Sequence, residues 1–388
     1  MSLQRLLNLG FLRSVLALVE LCALPFPGTT SVVLAQAAPQ AQPAVQDPGH
    51  DPTLPQPQPR LDIDRDPIPS LDPDTSTPAA TPASSGPTPA GVLQKRADGM
   101  YTLHTDVDEV LLNCTVIDAN GRTVSDLGQN NFRVWEDGVS ETINSVVHQD
   151  LPVSMGLLVD NSGSMLDKRA TVNAAAMNLL RASNPQNATF VVNFSDRAFL
   201  DQGFTSDLVS LNRSLSRSDP RGTTALYDAL AASADELVKQ GKHQKQVLLI
   251  ITDGADNASR LNLEQAIRRV QDLGGPVVYS IGLLFDAEPQ EAARARDALE
   301  KLSDETGGIA YFPRDFQDVN RVALEVARDI RNQYTVAYHS SKPASLGGYR
   351  TVRVEASAPN QAKLIVRTRR GYYAKPAQPA QTAQETKP

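Results

Sequence analysis

Through the middle of the chain, short unbroken apolar runs alternate with stretches in which apolar residues recur every three or four positions. Residues 153–159, 189–194, 248–251 and 276–281 are runs of the length expected for strands buried on both faces. Between them, residues 168–183, 225–239, 289–306 and 316–330 carry a helical period. Leu263, Ala266, Ile267, Val270 and Leu273 complete the i, i+3, i+4, i+7 spacing of one more helix, with Asn262 and Gln265 placed as a capping pair at its start. Such alternation predicts an α/β fold: a doubly wound, mostly parallel sheet covered by helices on both sides. In that architecture ligands gather outside the carboxyl ends of the strands.

On either side of this region the period drops to two. Residues 106–117, 132–136 and 141–148 alternate apolar with polar positions, as do 333–339, 349–356 and 362–368. The breaks between them carry turn chemistry, such as Asp118 to Gly121, Asp137 with Gly138, and Gly347 with Gly348. Asp118, Asn120 and Gly121 begin like a calcium loop, but the ligand series stops there and a turn accounts for them better. Three strands alone would leave a face poorly buried. The joint solution is an all-β sandwich made from residues 100–149 and 333–374, with residues 150–332 inserted between its halves.

Composition adds the ends. Residues 1–35 have the layout of a secretory signal peptide: Arg5 and Arg13 before an apolar segment at 15–24, then Val33, Leu34 and Ala35 at the cleavage positions. Glu20 and Pro25 interrupt the apolar run, and no later segment approaches the ~20 residues that span a bilayer, so no transmembrane helix is expected in the mature chain. The protein is therefore expected to be exported: periplasmic, cell-surface or secreted. Residues 36–99 form a linker rich in Pro, Ala, Gln, Thr and Asp, too poor in apolar side chains to offset the entropy of ordering, and residues 375–388 resemble it. A net charge of −7 with scattered basic residues argues against a nucleic-acid partner. The densest basic cluster, Arg367, Arg369 and Arg370, is expected to flank an exposed sheet face. Removal of Cys22 with the signal would leave Cys114 as the only thiol, a small buried strand residue rather than a reactive one.

The chemistry sits at strand ends. Asp160, Ser162 and Ser164 place one carboxylate and two hydroxyls on alternate residues directly after an apolar strand, with Gly163 between them to fold the loop tightly. Two further segments follow: Gly222, Thr223 and Thr224 open a helix, and Asp253 closes a second apolar strand. Oxygen ligands of this kind suit Mg²⁺ or Mn²⁺ and make a poor zinc site. A nucleophilic serine is the rival reading, but the run is not G-x-S-x-G and none of the five histidines lies in a comparable strand-end context.

Over residues 150–332 these three motifs, in this order, resemble the von Willebrand factor type A family and its metal-ion-dependent adhesion site. The family's D-x-S-x-S motif matches Asp160, Ser162 and Ser164. Its loop threonine falls best on Thr224, because Ala225 and Leu226 follow as in the family pattern, with Thr223 one residue away; its third-loop aspartate matches Asp253. The resemblance implies a metal set of Asp160, Ser162, Ser164, Thr224 and Asp253, and a protein partner that offers a carboxylate to the Mg²⁺ or Mn²⁺. It implies a binding module for adhesion or assembly rather than an enzyme. The alternative is an envelope component in which the metal only ties the loops together. The position of Asp256, just past Asp253, fits either a loop bond, a bond to metal-bound water or a solvated acid.

Overall fold

The computed structural model describes residues 58–62, 93–95, 101–103, 109–217, 219–359 and 363–374. The expected signal peptide and C-terminal tail lie outside the described residues, as does most of the linker. In chain order the strands and helices are β1 (Leu93–Lys95), β2 (Tyr101–Leu103), β3 (Glu109–Ile117), β4 (Phe132–Glu136), β5 (Val139–His148), β6 (Val153–Asp160), α1 (Arg169–Ala182), β7 (Ala188–Phe194), β8 (Ala198–Thr205), α2 (Leu208–Leu215) and α3 (Leu226–Gln240). They continue as β9 (Lys245–Thr252), α4 (Leu263–Asp272), β10 (Val277–Gly282), α5 (Pro289–Thr306), β11 (Ala310–Tyr311), α6 (Phe316–Arg331), β12 (Tyr334–His339), β13 (Tyr349–Ala356), β14 (Ile365–Arg367) and β15 (Gly371–Tyr373).

The central sheet runs in the order β11-β10-β9-β6-β7-β8. All its pairs are parallel except β7 with β8. Alternate residues of β6 feed two separate cores. Leu157 and Val159 pack with α1 and α6 on one face, and Leu158 packs with α3, α4 and α5 on the other. Gly156 has no room for a side chain, since a Cβ there would stand 2.5 Å from the Phe190 ring. The pair at the head of α4 behaves as the sequence indicates: Gln265 N donates to Asn262 Oδ1 and Asn262 N to Gln265 Oε1, both at 2.9 Å. β8 and α2 are additions to the expected pattern. β8 carries buried Asp201 and Gln202 in place of an unbroken apolar run, and α2 is only eight residues long, capped by Asp207.

The flanking strands do come together, although not as two stacked sheets. They form one seven-stranded antiparallel sheet in the order β14-β3-β12-β5-β4-β13-β15. Its two outermost strands, β14 and β15, are only three residues apart in the chain, so the sheet must curl to bring its edges near each other, and β13 packs against β14. Leu112, Cys114, Val134, Val336 and Tyr338 fill the inside. Burial pushes the Cys114 thiol up to about 12, which leaves it unreactive.

Polar groups fasten the curled sheet to the central domain. Tyr279 OH and Thr115 Oγ1 both donate to Asp329 Oδ2, at 2.5 and 3.3 Å, and Gln333 Nε2 donates to Tyr279 OH at 2.8 Å. Arg369 donates from one nitrogen to Gly274 O (2.9 Å) and from another to Leu111 O (3.0 Å). This residue of the basic cluster therefore clamps the two parts, where an exposed sheet face was expected. Its two acceptors are backbone carbonyls contributed by distant segments, which no local charge pattern announces.

Candidate metal site

β6 ends at Asp160, and its parallel register with β9, Val159 opposite Ile251, sets Asp160 beside Thr252. Asp160 is fully buried. Its Oδ1 accepts from Ser162 N at 2.8 Å, and its Oδ2 accepts from Thr252 Oγ1 at 2.5 Å. The Ser162 and Ser164 hydroxyls stand 3.2 Å apart, and Ser164 Oγ donates to Asp253 Oδ1 at 2.9 Å. On the far side of Asp253, Lys168 Nζ donates to Oδ2 at 2.6 Å. Hydrogen bonds thus run in sequence through four of the five expected ligands.

Thr224 occupies the adjoining loop, where it is buried while Thr223 is exposed. Its backbone is gripped on both sides by Asn257: Thr224 N donates to Asn257 Oδ1 (2.8 Å), and Asn257 N donates to Thr224 O (3.0 Å). The first loop is stitched to the second by Gly163 N to Gly222 O (3.3 Å) and Arg221 N to Asn161 O (3.0 Å). The left-handed residue belongs to this second loop. Gly222 has φ +78°, while Gly163, assigned the tight turn on sequence, has no positive φ. Asp256 makes a loop bond, accepting from Tyr227 N (2.9 Å) and Ser259 Oγ (2.5 Å) at the head of α3. Asp228 in turn accepts from Arg260 N and Leu261 N, so the loops carrying Thr224 and Asp253 are held together by mutual capping.

Burial drives the electrostatics. It raises the Asp160 carboxyl to about 6, against hydrogen bonds from Thr252 and Ser162 that pull the other way, and the Asp253 charge raises it further. One layer below lies Arg169, buried at the start of α1. It donates to Asp160 O (3.2 Å), Asn193 Oδ1 (2.9 Å) and Leu215 O (2.9 Å). Desolvation lowers Arg169 to about 10, opposed by the charges of Asp160 and Asp201. The arginine holds the backbone of the site and leaves the Asp160 carboxylate itself to neutral donors.

Among the described residues no group of three or more His, Cys, Asp or Glu could hold a metal. Two buried carboxylates with serine and threonine oxygens around them match a hard dication that keeps several waters. Four residues escaped the sequence reading: Lys168, Thr252, Asn257 and Arg169. Thr252 was within reach, because the strand register places it opposite the residue after Val159. The other three act through contacts across loops that only the folded chain creates.

Residues 155–255 match the model of the von Willebrand factor type A domain, a segment that runs from β6 to just beyond β9 and holds all five ligand candidates. The chain carries a von Willebrand factor type A domain. Solved structures resemble it at low identity. A von Willebrand factor type A protein from Catenulispora acidiphila aligns at 16% identity over 64% of this chain and 75% of its own, with a TM-score of 0.42. An aerotolerance-related membrane protein from Bacteroides fragilis aligns at 20% over 46% and 98%, TM-score 0.39. The von Willebrand domain of the type V pili tip protein Mfa5 from Porphyromonas gingivalis aligns at 11% over 47% and 97%, TM-score 0.38. No curated protein matches the chain.

Proposed function

We propose that this chain is an exported, metal-dependent protein-binding module for adhesion or assembly, engaging an acidic residue of its partner through one Mg²⁺ or Mn²⁺. The observation that carries the reading is the convergence of Asp160, Ser162, Ser164 and Asp253 at the carboxyl ends of two adjacent parallel strands, with buried Thr224 on the loop beside them. Asp160 and Asp253 would offset the dication's charge and the three hydroxyl residues would fill its oxygen shell. Because three of the five ligands are neutral, the bound ion stays electrophilic enough to accept a partner's carboxylate.

Two alternatives fare worse. Hydrogen bonds through Asn257, Asp256 and Asp228 join the loops carrying Thr224 and Asp253, which leaves little for a metal that served only to tie them. Serine catalysis of the Ser-His kind would need a histidine within reach of Ser162 or Ser164. Among the described residues, His148 and His339 lie on the curled sheet, and His243 precedes β9 at the end opposite Asp253. Export rests on the signal-like residues 1–35. Among the described residues no helix is long and apolar enough to cross a membrane.

Titration calorimetry on the full chain with Mg²⁺ and Mn²⁺ is the test. One ion should bind, and Asp160→Ala should abolish it. Capture of envelope proteins should disappear in EDTA and return with Mg²⁺; capture indifferent to chelation would rule out the metal as the point of contact.

A further inference from the structure

The outer edge of the central sheet is formed by β8, and a strand in that position presents unpaired N–H and C=O groups. Here part of that edge is covered from within the Pro-rich N-terminal region. Asp62 N donates to Ala198 O at 2.7 Å, and Leu200 N donates to Asp62 O at 3.0 Å. Together these two bonds make a parallel bridge between Asp62 and Phe199. Burial alternates along the approach: Gln58 and Arg60 face out, Pro59 and Leu61 turn in, which is the two-residue period of a strand. Leu61, partly buried, packs against the core that α3, α4 and α5 cover, and Arg197 forms an ion pair with Asp62. Proline is tolerated here because its missing N–H would not belong to the bridge. The segment also walls a cleft of about 880 Å³ shared with Asp196, Ala225 and Asp228, next to the Thr224 loop.

We propose that the outer edge of β8 is a strand-addition groove for a short extended peptide carrying a Leu-Asp pair, and that its occupant is the chain's own segment, residues 58–62. The main chain supplies two hydrogen bonds that any sequence could make, so specificity comes from the side chains. The apolar socket selects leucine, and Arg197 at its mouth selects an acid at the next position. Tethering to the same chain raises the segment's effective concentration at the groove, so a free peptide of the same sequence must compete with it. The edge is thereby sealed against other strands while remaining exchangeable, and the groove owes nothing to the metal.

Hydrogen exchange on the full-length chain tests the bridge directly. The Leu200 amide should exchange at least about tenfold more slowly in the wild type than in Leu61→Asp. A fluorescent peptide of residues 55–66 should then bind full-length Leu61→Asp, whose groove is vacated, at least about tenfold more tightly than the wild type, where the tethered segment competes. Full-length Arg197→Glu should refuse that peptide and accept one carrying Asp62→Arg. Equal Leu200 exchange in the two chains, equal peptide affinity for them, or binding unaffected when the peptide itself carries Leu61→Asp would each overturn the proposal. Leu61 is only partly buried and belongs to no helix or named strand, so its substitution leaves the domain's own elements in place.

Discussion

Replacing Asp160 with asparagine should stabilise the metal-free protein at neutral pH, the reverse of what removing a buried charged residue usually does. The carboxyl titrates at 3.8 in its ordinary state and at about 6 in the fold, because it is fully buried and only neutral groups donate to it. At 1.36 kcal/mol per pH unit, ionised Asp160 costs the native state about 3 kcal/mol. A raised folded-state pKa means that the native protein holds this proton more tightly than the unfolded chain. Its stabilising effect is complete below pH 3.8 and is lost as pH rises through about 6. The amide of the Asp160→Asn variant would avoid the charge while keeping an acceptor for Ser162 N, and the Thr252 hydroxyl can turn to accept. In EDTA, Asp160→Asn should therefore gain about 3 kcal/mol at pH 7.5, or roughly 6–12 °C in melting temperature, shrinking to less than about 1 kcal/mol near pH 4. Saturating Mg²⁺ should reverse the order by stabilising the wild type alone. Urea melts at the two pH values, with and without metal, provide the measurement. If Asp160→Asn loses stability equally at both, the carboxylate carries no penalty for a cation to relieve, and the argument fails.

Thr224→Ala should weaken Mg²⁺ binding tenfold or more by calorimetry, whereas exposed Thr223→Ala should stay within about twofold. Lys168→Met should tighten Mg²⁺ by about fivefold, since its ammonium pairs with Asp253 and that largely buried pair, worth about 1 kcal/mol net of desolvation, must open when a dication arrives. Ending the chain at residue 332 should melt the curled sheet while sparing the type A domain, because β12 lies between β3 and β5 and β13 pairs with β4; protected amides in β3 and β5 of the shortened chain would contradict this.

The strands and helices of the type A region are legible because burial on one face or two leaves a period that local sequence must respect. All four expected strands and five expected helices have counterparts, most within two residues at either end. β8 hides because Asp201 and Asn193 face each other inside, their 2.7 Å hydrogen bond satisfying polar groups that the period would assign to solvent. The curl of the flanking sheet was illegible for another reason. Two stacked sheets and one curled sheet need the same alternation, and the choice falls to the three-residue connection between β14 and β15. At the site, the strand-end placement of Asp160, Ser162, Ser164 and Asp253 was legible in the chain. The lysine on Asp253 and the asparagine gripping Thr224 depend on loop approach, which has no sequence period at all.

The insertion has a mechanical consequence. The chain enters the type A domain from β5 and leaves it into β12, and these two strands are hydrogen-bonded neighbours, with His148 opposite Tyr334. Asp150, on the way in, pairs with Arg331, on the way out, at 2.7 Å. A pull on the end of the domain that bears Asp160 and Asp253 would therefore load two side-by-side strands from the same end. Neither slides past the other; instead both must shear against β3 and β4, breaking many ladder bonds at once rather than peeling them singly. The domain hangs from a double strap, so a pull on its far face meets a mount that gives way only when both strands shear together.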